Sequence, residues 1–258
     1  MSDSELYIGD TPIKPLINNV EGEYVIVEGQ EYYKISNYDT MRPFFMTLVS
    51  SSDLWLFISS NGGLTAGRKS PETALFPYYT DDKITDNAEI TGSKTILKIT
   101  KGAKTFLWEP FSNRNQGIYS IQRNIYKNKF GNRLIIEECN NDLGVVFKYS
   151  WTFSERFGFV KESTLVNESN DSLEIDFLDG IQNILPHGIN SALQNNRSTL
   201  VDAYKKNELF DNGIGIFSLS AMIVDRAEPS EALKATVVWS IGLEVKNYLL
   251  STKQLAKY

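Results

Sequence analysis

Hydrophobic and polar positions alternate with period two along most of this chain. The clearest run is Val145, Phe147, Tyr149, Trp151 and Phe153, with Lys148, Ser150, Thr152 and Ser154 between them. Successive side chains of an extended chain point to opposite faces, so this run predicts a strand with one face in a core. Shorter runs bounded by Gly, Asn, Asp or Ser predict strands at Tyr24–Glu28, Tyr32–Ile35, Phe44–Val49 and Leu54–Ile58. Others follow at Thr95–Thr100 and Thr105–Trp108. A hairpin of Ile118–Tyr126 and Arg133–Cys139 turns around Phe130-Gly-Asn132, and Phe159–Asn167 and Leu173–Leu178 continue the meander.

Two stretches depart from the alternation. Ser59–Asn87 is punctuated by Asn61-Gly-Gly63, Gly67, Pro71 and Pro77, and reads as a long ordered loop lying over the scaffold. After Asp179-Gly-Ile-Gln-Asn-Ile-Leu-Pro-His-Gly188 the period changes. Leu193, Leu200, Val201, Tyr204 and Leu209 fall at helical spacings and predict a helix within Ile189–Leu209. The ten-residue run is therefore the corner between strands and helix. Strands at Gly215–Arg226 and Lys234–Val245 follow, separated by a polar turn at Ala227–Ala232, and Asn247–Tyr258 reads as the start of a helix. Many short strands joined by polar turns predict an all-β fold, a large antiparallel β-sandwich with one inserted helix. No internal repeat or composition shift divides residues 1–258, which read as one domain.

Composition narrows the chemistry. The 258 residues carry 12% aromatics and a formal charge of −6. The acidic balance and the lack of a dense Lys/Arg cluster exclude a nucleic-acid footprint. The opening Met-Ser-Asp-Ser-Glu has neither a basic start nor an apolar core, and no apolar run reaches membrane-span length, so a cytoplasmic chain without membrane partners is expected. One cysteine, Cys139, and one histidine, His187, leave no set of ligands for a thiolate or multi-imidazole metal site, and no cofactor is expected.

Catalytic patterns are sparse. Asp81-Asp82, Glu137-Glu138 and Asp176 with Asp179 are the carboxylate pairs, and acid–base work needs two carboxyls sharing one site. Glu137 and Glu138 face opposite sides of a strand, and surface solvation or turn capping is the simpler role for all three pairs. A mutarotase-type epimerase would need more than one histidine, and His187 beside Pro186 and Gly188 reads more simply as a loop residue bonded to backbone. No Gly-x-Ser-x-Gly elbow occurs, and Asn61–Gly67 lacks the Gly-Lys-Ser/Thr ending of a phosphate cradle. Sugar rings stack on aromatic faces while polar neighbours take the hydroxyls. Arg68, Tyr78, Tyr79 and Trp108, in or near the long loop, are candidates for that role, with His187 at the rim; Trp55 and Trp151 read as core.

The residue order also carries a resemblance. Gly62-Gly-Leu-Thr-Ala-Gly-Arg68 leads into Pro71-Glu-Thr-Ala-Leu-Phe-Pro-Tyr-Tyr-Thr-Asp-Asp-Lys83. Leu107-Trp-Glu-Pro-Phe111, Glu162-Ser-Thr-Leu-Val-Asn-Glu168 and the run from Asp179 to Gly188 come later. From about Asn37 onward the chain resembles the N-terminal β-sandwich domain of cellobiose-phosphorylase-like glycoside hydrolases and phosphorylases, with Tyr79 to Asp82, Trp108-Glu-Pro110 and Leu165-Val-Asn167 at the family's motif positions. The Asp179–Gly188 run followed by a polar helix departs from the simplest phosphorylases and suggests a divergent subgroup.

The resemblance implies a galactose-mutarotase-like supersandwich that precedes a helical linker and an (α/α)₆ barrel holding the catalytic groups. The chain itself would then be non-catalytic. Its partner would be the oligosaccharide or glycoside substrate of the parent enzyme, and its loops would serve the substrate cleft or a homodimer interface. Two alternatives stand beside this reading: an independent carbohydrate-binding module, and a mutarotase-like sugar epimerase.

Overall fold

The computed structural model describes residues 6–13, 19–224 and 230–257. Its fold is all-β and sandwich-like, built from antiparallel sheets. The strands are β1 (Leu6–Ile8), β2 (Thr11–Ile13), β3 (Glu21–Val27), β4 (Gln30–Ser36), β5 (Phe45–Val49), β6 (Leu54–Ser59), β7 (Leu64–Arg68), β8 (Gly92–Lys101) and β9 (Lys104–Trp108). They continue with β10 (Ile121–Asn128), β11 (Leu134–Asn140), β12 (Val145–Ser154), β13 (Gly158–Asn167), β14 (Glu174–Gln182), β15 (Lys205–Leu209), β16 (Gly215–Leu219) and β17 (Thr236–Val238). Among the described residues there are also three short helices, α1 (Asp81–Asp86), α2 (Ser191–Asn196) and α3 (Ser198–Tyr204), and three 3₁₀ turns.

One broad sheet, in the order β13-β12-β11-β10-β4-β3, forms a layer. Against its inner face pack two narrower sheets, β5-β6-β7 and β14-β8-β9. The residues at their contact make one cluster: Leu134, Ile136, Tyr149 and Trp151 from the broad sheet meet Leu56, Ile58 and Ala66 of one small sheet and Leu97, Ile99 and Trp108 of the other. The period-two run of β12 thus has the buried face its pattern predicts. A third small sheet, β15-β16-β17, and helices α2 and α3 enclose a second cluster around Leu185, Ile189, Val201 and Leu219, against which Trp55 and Tyr78 pack.

The hairpin of β10 and β11 shows how local chemistry sets register. The Asn128 Oδ1 accepts from the backbone N–H groups of Asn132 at 3.0 Å and Arg133 at 2.9 Å, organising the turn in which Gly131 takes φ +71°. An Asn side chain closing its own turn is the usual reason for its preference there.

Several expectations need correction. The segment 59–87, expected as one long ordered loop, holds β7 and α1. Leu-Thr-Ala-Gly-Arg has weak strand propensity, and tertiary packing selects the extended form. A Cβ on Gly67 would lie 2.6 Å from the Trp55 ring and 2.8 Å from the Ala74 backbone, so only glycine lets β7 sit this close. The single helix over 189–209 is two helices broken at Arg197 (φ −140°, ψ 35°), and its last five residues form β15 against β16. Asn195 and Asn196 are weak helix formers at the break, while the Asn190 side chain caps α2 by accepting from the Leu193 N–H at 2.8 Å.

The strand expected over 234–245 pairs only at Thr236–Val238, opposite Gly215–Phe217. Gly242 at φ +106° ends any extension of it. The run 247–258 forms a 3₁₀ turn at Thr252–Lys257 instead of an α-helix. The strand expected over Gly215–Arg226 pairs only as far as Leu219, and Ser220–Val224 leave the sheet; the turn around Pro229 lies outside the described residues. Among the described residues no helix is long and apolar enough to cross a membrane.

Candidate functional site

A polar cleft of about 160 Å³ opens at the seam between the two small sheets. The β6–β7 turn (Asn61, Gly62) and the end of α1 (Thr85 to Glu89) form one wall, the 110–113 loop forms the other, and Lys94, Thr95 and Tyr149 lie between them.

The loop wall is anchored from below. Arg123 and Glu138 occupy inward positions directly opposite each other on β10 and β11, where apolar residues would ordinarily stand. Their ion pair, Nε to Oε2 at 2.7 Å, is buried. The same carboxylate accepts from the Trp108 Nε1–H at 2.8 Å and the Phe111 N–H at 2.7 Å. The guanidinium donates to the Ser112 carbonyl at 2.9 Å and to the Asn113 Oδ1 at 3.0 Å. Buried charges are costly unless paired and hydrogen-bonded, and here both conditions are met by the residues that hold the loop in place.

Within the cleft, Lys94 is buried and bonds both Glu89, at 3.2 Å, and Glu109. Glu89 also accepts from the Ser112 hydroxyl and the Asn113 N–H, both at 2.9 Å. Burial pushes the Glu89 carboxyl up, but the Asn113 amide, the Lys94 ammonium and the Ser112 hydroxyl together outweigh it and hold it below its ordinary range.

Beside the cleft, the Lys161 side chain is buried under β12. Its Nζ donates to Asp179 at 2.7 Å and Ser163 at 2.9 Å, and lies 5.6 Å from the centre of the Tyr149 ring. Asp179 also accepts from the Thr95 hydroxyl at 2.6 Å. Burial lowers the lysine's proton affinity against the pull of Asp179, and burial first, then the Asp179 charge, raises that of the Tyr149 phenol. Lys161 and Asp179 therefore clasp the broad sheet to β14.

A second concavity, of about 610 Å³, lies where β4 and β3 extend the broad sheet past the edge of β5. Tyr24 and Tyr33, opposite each other on β3 and β4, have ring centres 5.1 Å apart at 65°. Ile35, Phe44 and Met46 line the groove with them, and Glu31, Lys127 and Lys129 stand around it.

The sequence-predicted residues fall in different places. Trp108 is core: burial and its bond to Glu138 leave no ring face for a sugar, a correction to its expected stacking role. Tyr78 is half-buried, its ring edge-on to Trp55 at 5.8 Å and its N–H on the Gln194 Oε1 at 2.7 Å. Tyr79 is half-buried, with its hydroxyl raised by burial and by Asp202. Arg68 is exposed at the end of β7, its guanidinium beside Gly158. His187 is exposed, and partial burial and Lys234 hold its imidazole below 6.5. Tyr78 and Trp108 pack in different clusters, so the five do not form one surface.

The carboxylate pairs also resolve. Glu138 is not a surface group but the anchor just described, and Asp179 is half of the clasp. Sequence reasoning passed over Arg123, Lys161 and Lys94. For the first two a signal existed, since a charge at an inward period-two position implies a buried partner; the identity of that partner did not follow. Among the described residues no group of three His, Cys, Asp or Glu is placed to hold a metal ion. The chain matches no protein-family model and no curated protein.

Proposed function

We propose that this chain is a non-catalytic β-sandwich domain of a cytoplasmic carbohydrate-active enzyme, of the glycoside phosphorylase or hydrolase kind, and that it packs on an (α/α)₆ catalytic barrel. The residue order described above and the sandwich-like fold are consistent with this reading. The observation that carries it is an apolar strip on the C-terminal segment. Ala235, Val237, Trp239, Ile241, Leu243 and Val245 alternate along the sequence, yet only Thr236–Val238 pair in a sheet. Leu233, Ile241 and Leu243 are 86%, 88% and 70% exposed. Fully burying such a side chain is worth about 1.5–3 kcal/mol, so three of them left in water mark a surface suited to cover by another domain.

Two measurements test the reading. The chain mixed with cello-oligosaccharides, with and without inorganic phosphate, should release neither sugar phosphate nor new reducing ends; turnover by the chain would overturn it. In sedimentation equilibrium the chain should stay monomeric at micromolar concentration. A dimer abolished by Ile241→Asp would assign the strip to a second copy instead and sink the domain-packing reading.

A further inference from the structure

We propose that the groove of β3, β4 and β5 is a binding site for a neutral oligosaccharide, away from the polar cleft. The inference rests on the carbohydrate reading above, but concerns a site that reading does not need.

Tyr24 is 74% exposed and Tyr33 is 44% exposed, on the inner face of the broad sheet where a core would otherwise continue. The reason is geometric: of the inward side chains at the β4–β3 end of the six-stranded layer, Ile35 still packs on the core cluster, whereas Tyr24 and Tyr33 lie beyond it. An end filled with aliphatic side chains would be an aggregation liability. This one presents two phenol rings at an angle, backed by Phe44 and Met46, so that ring faces and hydroxyls are offered together. The pose of Tyr33 depends on Gly22, since a Cβ there would lie 2.1 Å from the Tyr33 hydroxyl. The size of the groove falls in the range of about 300–1,000 Å³ typical of small-ligand clefts, which are mostly apolar with a few polar groups to fix orientation.

The chemistry of the rim selects the ligand class. Lys129 pairs with Glu31 at 3.1 Å, so these two charges largely cancel. Lys127, opposite Tyr33 in register, adds a single ammonium that supplies donors to hydroxyls without demanding an anionic ligand. Pyranoses with equatorial hydroxyls have apolar C–H faces that stack on phenol rings, and hydroxyls around the edge that reach such a rim. Two rings at 65° form a bent cradle, which fits successive units of a twisted chain better than a flat surface. The occupant is therefore an oligosaccharide of at least two units, without a net charge.

Calorimetric titration of the chain with cellotetraose, maltotetraose and mannotetraose tests this. At least one should bind, and Tyr24→Ala should weaken that binding about tenfold or more, equivalent to about 1.4 kcal/mol. Tyr24→Phe keeps the ring and should stay close to the parent affinity. Gly22→Val, which displaces Tyr33, should weaken binding as Tyr24→Ala does. Affinity should also hold between low and high salt, because a neutral ligand is not screened. Unfolding curves of each variant show that the fold is kept.

Binding unaffected by Tyr24→Ala would overturn the groove assignment while leaving the carbohydrate reading standing. A steep loss with salt would overturn the neutral class. No binding to any of the three sugars, or self-association lost on Tyr24→Ala, would overturn the inference. The domain reading is judged separately, by the turnover and sedimentation measurements.

Discussion

The polar cleft and the aromatic groove are both concave, and they are built in opposite ways. Around the cleft, Lys94, Arg123 and Glu138 are buried and two carboxylates meet several donors each: Glu138 has Arg123, Trp108 and Phe111, and Glu89 has Lys94, Ser112 and Asn113. Along the groove, aromatic side chains stand in water with one another as neighbours. Groups so fully partnered hold a shape, whereas groups left exposed at a cost in burial are available to a ligand. The contrast assigns stability to the cleft and recognition to the groove, against the first intuition that charges mark a site.

The largest effect expected from this contrast is at Glu138. Replacing it with Ala leaves the Arg123 charge buried without its partner and orphans the Trp108 and Phe111 N–H groups. Chemical denaturation should show a loss of about 3–5 kcal/mol; a change below about 1 kcal/mol would mean the anchor is dispensable. Next is the clasp. Asp179→Ala should cost less, about 1–3 kcal/mol for a lost charged hydrogen bond, because that carboxylate is still 21% exposed and screened by water. A cost equal to that of Glu138→Ala would remove the distinction between the two.

The third prediction concerns pH. The folded Glu89 carboxyl titrates below its ordinary value of 4.5, so the native state there binds fewer protons than the unfolded state. Its stabilisation is fully present above pH 4.5 and is lost as pH falls through the lower folded value. Acid unfolding of Glu89→Gln should lack that part of the slope, and an identical slope would show that Lys94 and Asn113 do not hold the carboxylate in solution. The smallest effect belongs to the groove: Tyr24→Ala should alter stability by no more than about 0.5 kcal/mol. A larger loss would make Tyr24 a packing residue and erase the comparison.

Strand positions were largely legible because period two is a local property. β12 and the β10–β11 hairpin follow directly from alternating residues and an Asn-organised turn. β7 was not legible, since Leu-Thr-Ala-Gly-Arg becomes a strand only when Trp55 and Ala74 close over Gly67. The helix break at Arg197 and the short β17 were hidden for a related reason: a pattern shows which face would be buried, not whether a partner strand runs alongside. Of the five predicted ligand residues, Trp108 shows the limit most clearly. An aromatic residue in a strand suits a sugar platform or a core equally well, and Glu138, thirty residues away, decides between them.

What the sequence by itself determined is the all-β class and the opposite facing of Glu137 and Glu138. These depend on the geometry of the extended backbone and on side-chain type, both local. Only the tertiary structure decided which charges are anchors and which aromatics are left in water. Arg123 meets Glu138 across a ladder, Lys161 meets Asp179 across two layers, and Tyr24 and Tyr33 are exposed because they lie beyond the core cluster. Burial and pairing depend on distances between distant segments, and those distances exist only once the layers have packed.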